Sequence, residues 1–305
     1  MDWDICKQLS MSEKKWECDN MTEILGVVVI YNPDINKLIN NINRYLENIT
    51  SLMIWQNSVL SQDQREKIEK ETTEGFKILF VGDGTNQGLD VAFNYSFSYA
   101  KKAGYKWLLT MDQDSEWNNF SRFLTDVNNC EDSEAGIFGP EIINAFDITS
   151  TCDDDKKNNR YEQVDFVISS GALYSINILE KLDGFTKDFF IDAIDEEICY
   201  RASSMGIKTV KVKGSFLVQE FGNYQKKKFL GKTIATSNYS AFRYYYIVRN
   251  HLRLAKSGLV KGKTKKIMIH NYIISPFFKV ILFENCKTSK LRAIVKGTID
   301  GLKKY

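Results

Sequence analysis

Residues 105–116 read YKWLLTMDQDSE, an apolar run that ends in two acids. Its apolar part, Trp107 to Met111, ends abruptly at Asp112 and Asp114, which is typical of a buried strand running into a loop. On an extended chain these two carboxylates point the same way and repel each other unless a cation lies between them. Mg²⁺ is commonly held by one or two such carboxylates together with substrate phosphates. An isolated pair of this kind is usually a solvated acidic turn, so its meaning depends on its surroundings.

Apolar runs alternate with helical patterns through the first half of the chain. Strands are predicted over residues 24–31, 51–55, 76–81 and 105–111, with helices after Asp34 and over residues 89–103 and a polar, exposed segment before the third strand. This alternation predicts an α/β sandwich around a mostly parallel sheet. Ligands of such sheets bind beyond the carboxyl ends of the strands. Polar residues stand at four of those ends, so we expect them to share one pocket.

The second half is less regular. Strands are predicted over residues 135–140, 164–170 and 208–218, with a polar loop over 147–160 and a mobile loop over 220–239. A helix ending near Met205 follows the acids Asp192, Asp195 and Glu196. Carboxylates in a first helical turn are stabilised by the helix dipole, so a capping role is the alternative to a catalytic one.

Composition excludes several classes of protein. The 305 residues are 43% hydrophobic and 26% charged, which predicts a soluble protein with an ample core. Six cysteines occur without CxxC spacing, which indicates reduced thiols in a cytosolic chain and argues against a disulfide framework or a zinc site. With two histidines, His251 and His270, a His-rich metal site is excluded. Residues 1–23 are polar, so we expect an N-terminal extension and no signal peptide.

The net charge of +2 conceals an asymmetry along the chain. Residues 249–305 carry 14 Lys and Arg against two acids, a charge of +12, which leaves −10 for residues 1–248. Within this basic tail, residues 267–283 are apolar but contain His270, Asn271, Pro276 and Lys279, too interrupted for a clear membrane span. Two alternatives remain. One is an interfacial amphipathic helix on an anionic membrane, and the other is a helical pair packed on the catalytic domain or on a second subunit.

Taken together, seven stretches resemble family 2 glycosyltransferases of the GT-A fold, and most of all the rhamnosyltransferase-like branch that builds bacterial surface polysaccharides. These stretches are VVVIYNP (27–33), QNS (56–58), TNQGLDVAFN (85–94), LLTMDQDS (108–115), VDFVISSGAL (164–173), FFIDAIDEEICYRA (189–202) and RYYYIVRN (243–250). The match covers residues 24–255, in order and with plausible spacing. It implies a Rossmann-like GT-A catalytic domain over residues 24–255, with an extension before it (1–23) and a basic, amphipathic helical tail after it (256–305).

The resemblance also implies roles for particular residues. Asp112 and Asp114, with Gln113 between them, fall on the motif for the metal and the sugar-nucleotide diphosphate. Asp195 falls on the base that deprotonates the acceptor hydroxyl. The other residues expected to bind the donor or its diphosphate are Tyr31, Asn57, Asn86, Gly88, Asn94, Ser170, Gly171, Glu197, Arg201, Arg243 and Arg249. The expected cofactors are Mg²⁺ or Mn²⁺ and a dTDP- or UDP-linked sugar.

Two residues depart from the family pattern. Relatives commonly have Asp, which often contacts the base, where this chain has Gln56, so the nucleotide base is left open. Many relatives also have a metal-binding His where this chain has Gln219, next to Glu220. Gln219 is therefore the expected third metal ligand, with Glu220 as the alternative, because a hard ion accepts either amide or carboxylate oxygen. His251 is a reserve candidate.

The leading hypothesis is an inverting, metal-assisted glycosyltransferase at the cytoplasmic face of the membrane. It would move L-rhamnose from dTDP-rhamnose to a saccharide acceptor that is lipid-linked. One alternative keeps the mechanism with a UDP-hexose or UDP-galactofuranose donor. An alternative of another class is a silent nucleotide-sugar-binding subunit that scaffolds an assembly complex, for which Gln56 and Gln219 are the support. A homodimer is compatible with the tail, and nucleic-acid binding is not expected because the basic residues are confined there.

Overall fold

The computed structural model describes residues 23–144, 160–219, 225–229 and 232–303. The predicted N-terminal extension up to residue 22, nearly all of the polar loop 147–160, and Glu220 lie outside these ranges.

The first half contains the four predicted strands, all parallel. They are β1 (Ile24–Ile30), β2 (Ser51–Gln56), β3 (Ile78–Val81) and β4 (Trp107–Asp112), in the order β3-β2-β1-β4. Three helices connect them: α1 (Ile35–Asn43), α2 (Gln62–Glu71) and α3 (Leu89–Ala103). Asp34 caps α1 as predicted, accepting from the backbone of Asn36 and Lys37. Helix α2 occupies the segment predicted only as polar and exposed, and Ile68 is its one buried residue, so the segment lacks an apolar stripe.

The remainder of the sheet is mixed. Its elements are β5 (Glu116–Trp117), α4 (Phe120–Asn128), β6 (Ala135–Asn144), β7 (Tyr161–Val164), β8 (Ala172–Ser175), α5 (Ile176–Lys181), α6 (Ile194–Ser204) and β9 (Lys208–Gln219). Among the described residues the sheet has nine strands and continues from β4 in the order β8-β6-β9-β5, with β7 also paired to β9. Strand β8 is antiparallel to both of its neighbours, whereas β6 and β9 are parallel.

One predicted strand is wrong. Residues 164–170 were expected to pair, but β7 ends at Val164 and the chain is irregular until β8 begins at Ala172. Within this run Phe166 and Ile168 line a cleft and Val167 packs into the core, so the apolar sequence here does not reflect a sheet position.

Hydrophobic side chains cover both faces of the sheet. Along β1, Leu25, Val27 and Val29 join one buried cluster, and Ile24, Val28 and Ile30 join another on the opposite face. Alternate residues of a strand point to opposite faces, so a strand covered on both sides needs apolar residues throughout. This explains the unbroken run at residues 24–30, and the layered α/β architecture predicted from it is confirmed.

The C-terminal part begins with a hairpin and continues as helices. The hairpin strands are β10 (Gln225–Phe229) and β11 (Lys232–Thr236), so the loop expected over residues 220–239 contains regular structure. The helices are α7 (Ala241–Lys256), α8 (Gly262–Ile269), α9 (Ser275–Phe283) and α10 (Lys287–Leu302), with a π-helical turn, His270–Ile274, between α8 and α9. Gly297 and Gly301 let α10 lie directly against α7, because a Cβ there would be 2.6 Å and 2.8 Å from the carbonyl oxygens of Tyr245 and Arg249.

The segment Gly262–Phe283, here called the tail helix, comprises α8, the π turn and α9. Among the described residues it is the one helix long and apolar enough to cross a membrane by length and composition, and only 11% of its apolar window is buried. Its exposed apolar residues include Ile267, Phe278 and Leu282. The tail therefore combines features of both predicted alternatives: α10 packs on α7, while the tail helix leaves an apolar face uncovered.

Candidate active site

A cleft of about 910 Å³ opens at the carboxyl ends of β1, β2 and β4, where the sequence predicted a shared pocket. Eleven of the predicted site residues line it: Tyr31, Asn57, Asn86, Gly88, Asp112, Gln113, Asp114, Ser170, Asp195, Gln219 and Arg243. Two walls face each other across it. The strand-end wall contains Tyr31, Asn57, Asp112 and Asp114, and the loop wall contains residues 188–193 and Asp195.

The strand-end wall is fastened by side-chain amides. Gln113 Oε1 accepts from the backbone N–H of Tyr31 at 2.7 Å, and Gln113 Nε2 donates to the Tyr31 carbonyl at 3.2 Å. Asn57 Oδ1 accepts from Trp55 Nε1 and from the Gln87 N–H, both at 3.1 Å. These bonds join the ends of β1, β2 and β4 to the turn before α3, so the positions of the acids follow from the sheet itself.

Gly88 is where the two walls meet. It has φ +89°, and a Cβ would lie 2.7 Å from the Phe190 ring and 2.8 Å from the Phe190 carbonyl oxygen. The next residue, Leu89, donates its N–H to that carbonyl at 2.6 Å. A larger residue at position 88 would push the loop wall away from the sheet, because both its conformation and its space require glycine.

Asp112 and Asp114 place two carboxylates close together in the strand-end wall. Burial and the nearby Asp114 carboxylate raise the pKa of Asp112 to about 7, and Asp195 adds to the effect. Arg243 acts in the opposite direction. Gln219 Nε2 donates to Asp112 Oδ2 at 2.8 Å, while Gln219 Oε1 is buried and has no hydrogen-bond partner among the described residues.

These residues fit a hard divalent cation. The Asp114 charge raises the pKa of Asp112, and a cation between the two carboxylates would relieve this repulsion, while the Gln219 amide next to Asp112 offers one further oxygen. Among the described residues, no cluster of three or more His, Cys, Asp and Glu side chains is arranged to hold a metal. A cation held here would have two carboxylates and one amide oxygen as its protein donors.

The loop wall has an unusual backbone. Asp188, Phe190, Asp192 and Ala193 all have positive φ, between 62° and 66°. Such residues cost of order 1 kcal/mol or more each and persist only where neighbours enforce the conformation. The enforcing residue is Asn250 of α7, whose Nδ2 lies 2.7, 2.8 and 3.0 Å from the carbonyl oxygens of Phe189, Ile191 and Asp192.

Asp195 lies on the loop wall, in the first turn of α6. Its Oδ2 accepts from the Ser169 N–H at 3.2 Å, and its Oδ1 accepts from the Glu196 N–H at 3.1 Å. Burial raises its pKa to about 6, and the Glu196 charge adds to the shift, while the two backbone bonds lower it. The carboxylate is thus oriented, enclosed by protein, and open to the cleft on one side.

Arg243 supplies positive charge to the cleft. Its Nη2 lies 3.2 Å from Asp192 Oδ1, and its guanidinium stacks over the Tyr239 ring at 4.3 Å. The side chain is still 40% exposed, so it can contact an anion in the cleft without leaving the ring.

Five predicted site residues lie outside the cleft lining and make structural contacts. Arg249 is buried and donates to the backbone carbonyls of Asp188 and Phe189. Glu197 pairs with Arg201 at 2.9 Å, and Arg201 also donates to the carbonyls of Leu182 and Gly184. The Asn94 amide bonds the backbone of Phe185, and Gly171 donates to the Thr110 carbonyl. Gln56, the first departure from the family pattern, accepts from Arg65 at 2.9 Å and also lies outside the lining.

Sequence reasoning missed three residues that the structure brings to the cleft or its support. Asn250 stands within a quoted motif, but its partners lie about 60 residues upstream. Glu196 was assigned only a capping role, and Tyr272 was assigned none. The signal for Tyr272 was slight, namely a polar aromatic residue in the middle of an apolar run.

The comparisons with known proteins agree with this architecture. Over 303 residues the chain is 25% identical to the dTDP-rhamnosyl transferase RfbF of Shigella flexneri, spanning 92% of this chain and 96% of the relative. The mannosyltransferase PcManGT of Pyrobaculum calidifontis, solved with GDP-Man and Mn²⁺, has a TM-score of 0.57 at 12% identity and covers 93% of this chain and 77% of its own. S. aureus TarS 1–349, solved with UDP-GlcNAc, has a TM-score of 0.54 at 11% identity and covers 90% of this chain and 81% of its own. No family model matches the chain.

These similarities support sugar transfer and do not favour the alternatives of another donor or a silent scaffold. At such low identity the solved structures support the fold alone, whereas RfbF is similar to this chain in sequence. The resemblance predicted from the seven motifs is thus confirmed: the chain has the fold of GT-A glycosyltransferases and is similar over nearly its whole length to a dTDP-rhamnosyl transferase.

Proposed function

We propose that this chain is an inverting, metal-dependent glycosyltransferase that moves L-rhamnose from dTDP-rhamnose to a lipid-linked saccharide acceptor in the synthesis of a surface polysaccharide. The donor is suggested by RfbF, which is described as a dTDP-rhamnosyl transferase. The observation that carries the proposal is that Asp112, Asp114 and Asp195 line one cleft.

Asp195 is the proposed general base. Its carboxylate takes the proton of the acceptor hydroxyl while that oxygen forms a bond to the anomeric carbon of the sugar. The bond from this carbon to the diphosphate oxygen breaks, and the electron pair leaves with the nucleotide diphosphate. A single displacement of this kind inverts the anomeric centre. A base with a pKa near 6 is ionised at neutral pH and is stronger than an ordinary aspartate, which suits proton transfer.

The metal would be held by Asp112, Asp114 and the amide oxygen of Gln219. When bound, Mg²⁺ or Mn²⁺ supplies positive charge to the leaving diphosphate. Arg243, already in the cleft lining, supports the same role from the α7 side. Gln219 would have to rotate its amide, because its NH₂ group and not its oxygen faces Asp112 in this structure.

The fold is consistent with a cytoplasmic enzyme, and we propose that the tail helix attaches it to the inner face of the membrane. Exposed Ile267, Phe278 and Leu282 offer apolar surface, and Lys263 and Lys266 stand exposed at the amino end of the helix. An exposed apolar face next to lysines is the composition of a helix that binds an anionic bilayer surface.

Donor hydrolysis tests the catalytic proposal without knowledge of the acceptor. With Mg²⁺ or Mn²⁺, we expect slow release of dTDP from dTDP-rhamnose and much slower release of UDP from UDP-hexoses or UDP-galactofuranose. The variants Asp112→Asn and Asp114→Asn should lose this release, whereas Asp63→Asn, an exposed acid of α2, should keep it. A protein that binds the donor in a thermal-shift assay but releases nothing would instead be the scaffold subunit.

Flotation with liposomes tests the membrane proposal on the full chain. We expect the wild type to float with vesicles containing anionic lipid and the double variant Phe278→Glu, Leu282→Glu to remain in solution. The control Val59→Glu, which adds a charge at an exposed apolar residue of the strand half, should float like the wild type. Equal flotation of all three proteins would remove the membrane claim.

A further inference from the structure

A buried polar cluster begins at the residue after Asp195 and is built from three elements. Glu196 of α6, His251 of α7 and Tyr272 of the tail helix all line the cleft. Tyr272 Oη donates to Glu196 Oε1 at 2.7 Å, and His251 Nε2 lies 3.4 Å from the same oxygen. The His251 and Tyr272 rings stack with their centroids 3.5 Å apart. Glu196 and His251 are 5% and 3% exposed.

The contacts of His251 indicate its charge. Its Nδ1 lies 2.6 Å from the Ile247 carbonyl oxygen, which can only accept, so Nδ1 carries a hydrogen. If His251 were neutral, its bare Nε2 would face a carboxylate oxygen, and two acceptors would oppose each other. A proton on Nε2 turns this repulsion into an ion pair. Burial alone lowers the pKa of His251, but the hydrogen bond and charge of Glu196 outweigh it, and the net pKa is raised.

Tyr272 lies at an irregular point of the tail helix. It lies within the π-helical turn His270–Ile274, in a helix whose flanking residues Asn271 and Ile274 are exposed. π-Helical turns are rare and are frequent at functional sites. The tail, which lies outside the motif-bearing segment 24–255, thereby contributes a hydroxyl group next to Asp195.

We propose that His251 and Tyr272 are positioning residues that compensate the charge of Glu196 and thereby set the pH range in which Asp195 acts as a base. The inference rests on the proposed function, in which Asp195 takes the acceptor proton. Glu196 follows Asp195 in the chain and holds its Oδ1 through a backbone N–H, so the charge of the cluster acts on the base at short range. An uncompensated carboxylate there favours the protonated base, and a compensated one favours the ionised base.

Other charged and titratable groups face this region and also affect the ionisation of Asp195, and they are the same in the wild type and in the variants. They are Asp112 of β4, Tyr174 of β8, Asp192 of the loop wall, Cys199 and Tyr200 of α6, and Arg243 of α7. Arg243 is paired with Asp192, so it does not replace His251 as the partner of Glu196.

The pH profile of kcat/KM for donor hydrolysis distinguishes a shift in the ionisation of Asp195 from damage to the structure. Asp195 must be ionised, so the rate falls on the acid side. We expect Glu196→Gln to move the acid limb of the profile to lower pH by about one unit, because a negative charge next to Asp195 is removed. His251→Gln should move the acid limb to higher pH by about as much. Tyr272→Phe should move it up by about half a unit. Tyr245→Phe, which removes a 3.0 Å hydroxyl bond to Asp300 outside the cleft, is the matched control and should leave the limb in place.

Damage to packing would lower the rate at every pH without displacing the limb. The proposal is overturned if Glu196→Gln and His251→Gln leave the limb unmoved, or move it in the same direction, while circular dichroism shows both variants folded.

A measurement without catalysis keeps this inference distinct from the proposed function. The chain has two histidines, so NMR of ¹³C-labelled histidine yields two signals, with exposed His270 as the internal reference. We expect His251 to titrate at a higher pH in the wild type than in Glu196→Gln, because the partner that raises its pKa is lost. If this difference appears but no donor is turned over, the proposed function fails and the ion pair stands. If turnover depends on Asp195 but Glu196→Gln changes neither the titration of His251 nor the acid limb, the inference fails while the proposed function stands.

Discussion

The two walls of the cleft are built in different ways. The strand-end wall stands on the parallel strands β1, β2 and β4, and its backbone is held by the hydrogen-bond ladder of the sheet. The loop wall has four residues with positive φ and depends on two side chains of α7, Arg249 and Asn250, that bond its carbonyls. Local chain preferences build the first wall and work against the second. Stability and function should therefore be separable on the strand side and inseparable at the α7 residues that hold the backbone of the loop wall.

The largest effect that we expect is that of Asp195→Asn on the loop wall. It keeps the shape of the side chain and one of its two backbone bonds, because an amide NH₂ cannot accept the other N–H, and it removes the base, so transfer should fall about 10²- to 10⁴-fold. The variant should bind donor and fold like the wild type, as measured by thermal shift with and without nucleotide sugar. Turnover near that of the wild type would mean that the base is another residue.

Asn250→Ala tests whether the strained loop depends on α7. The substitution removes the Asn250 amide from the Ile191 and Asp192 carbonyls, while the Phe189 carbonyl keeps its bonds from the Ile191 N–H and Arg249, so we expect a loss of about 3 kcal/mol in the free energy of unfolding, together with a large loss of turnover. The matched control is Asn43→Ala on the strand side, where the amide bonds the backbone of Glu71 and Thr73 away from the cleft. That variant should lose about 1 kcal/mol and keep its turnover. Equal effects of the two variants on turnover would abolish the contrast between the walls.

Gln219→His examines the metal site of the strand-end wall. An imidazole nitrogen is a stronger ligand for Mn²⁺ than an amide oxygen, so the Mn²⁺ concentration that gives half-maximal activity should fall about tenfold. Gln219→Leu, which removes the bond to Asp112 and offers no ligand, should shift it the other way. The check is a metal titration of donor hydrolysis, and identical curves for the wild type and both variants would show that residue 219 is not a ligand.

The smallest effect is expected at Ser61, the N-cap of α2. Its side chain and that of Gln64 form a capping box on the strand side, so Ser61→Ala should cost about 1 kcal/mol of stability. Chemical denaturation should reveal this loss, while kcat and KM stay unchanged because α2 does not line the cleft. A change in kcat would show that the strand side transmits strain after all.

Local patterns were enough to predict the strand half of the fold. The apolar runs at β1 and β4, the N-cap Asp34 and the glycine-rich turn before α3 each carry their structure within a few residues, and the acids at the end of β4 follow from them. The same is true of Asp195, whose place in the first turn of α6 is a local property.

The sequence could not supply contacts between distant residues. Helical spacing predicts that one face of α7 is buried, but not that Asn250 meets carbonyls about 60 residues away. The sequence motif also predicted that Arg249 binds the donor or its diphosphate. A motif does not reveal whether an arginine faces a phosphate or the backbone, and Arg249 bonds backbone carbonyls. Strand 164–170 was wrong for a related reason, since an apolar run is buried equally well in a sheet or in a cleft.

The close approach of α10 to α7 limits how this enzyme can change. On one side α7 secures the loop beside the reacting atoms, and on the other Gly297 and Gly301 leave no room even for a methyl group between the two helices. Evolution and engineering alike have little freedom in α7, since a residue altered on either side displaces what the other side supports. New sugar or acceptor preferences are therefore best sought outside α7.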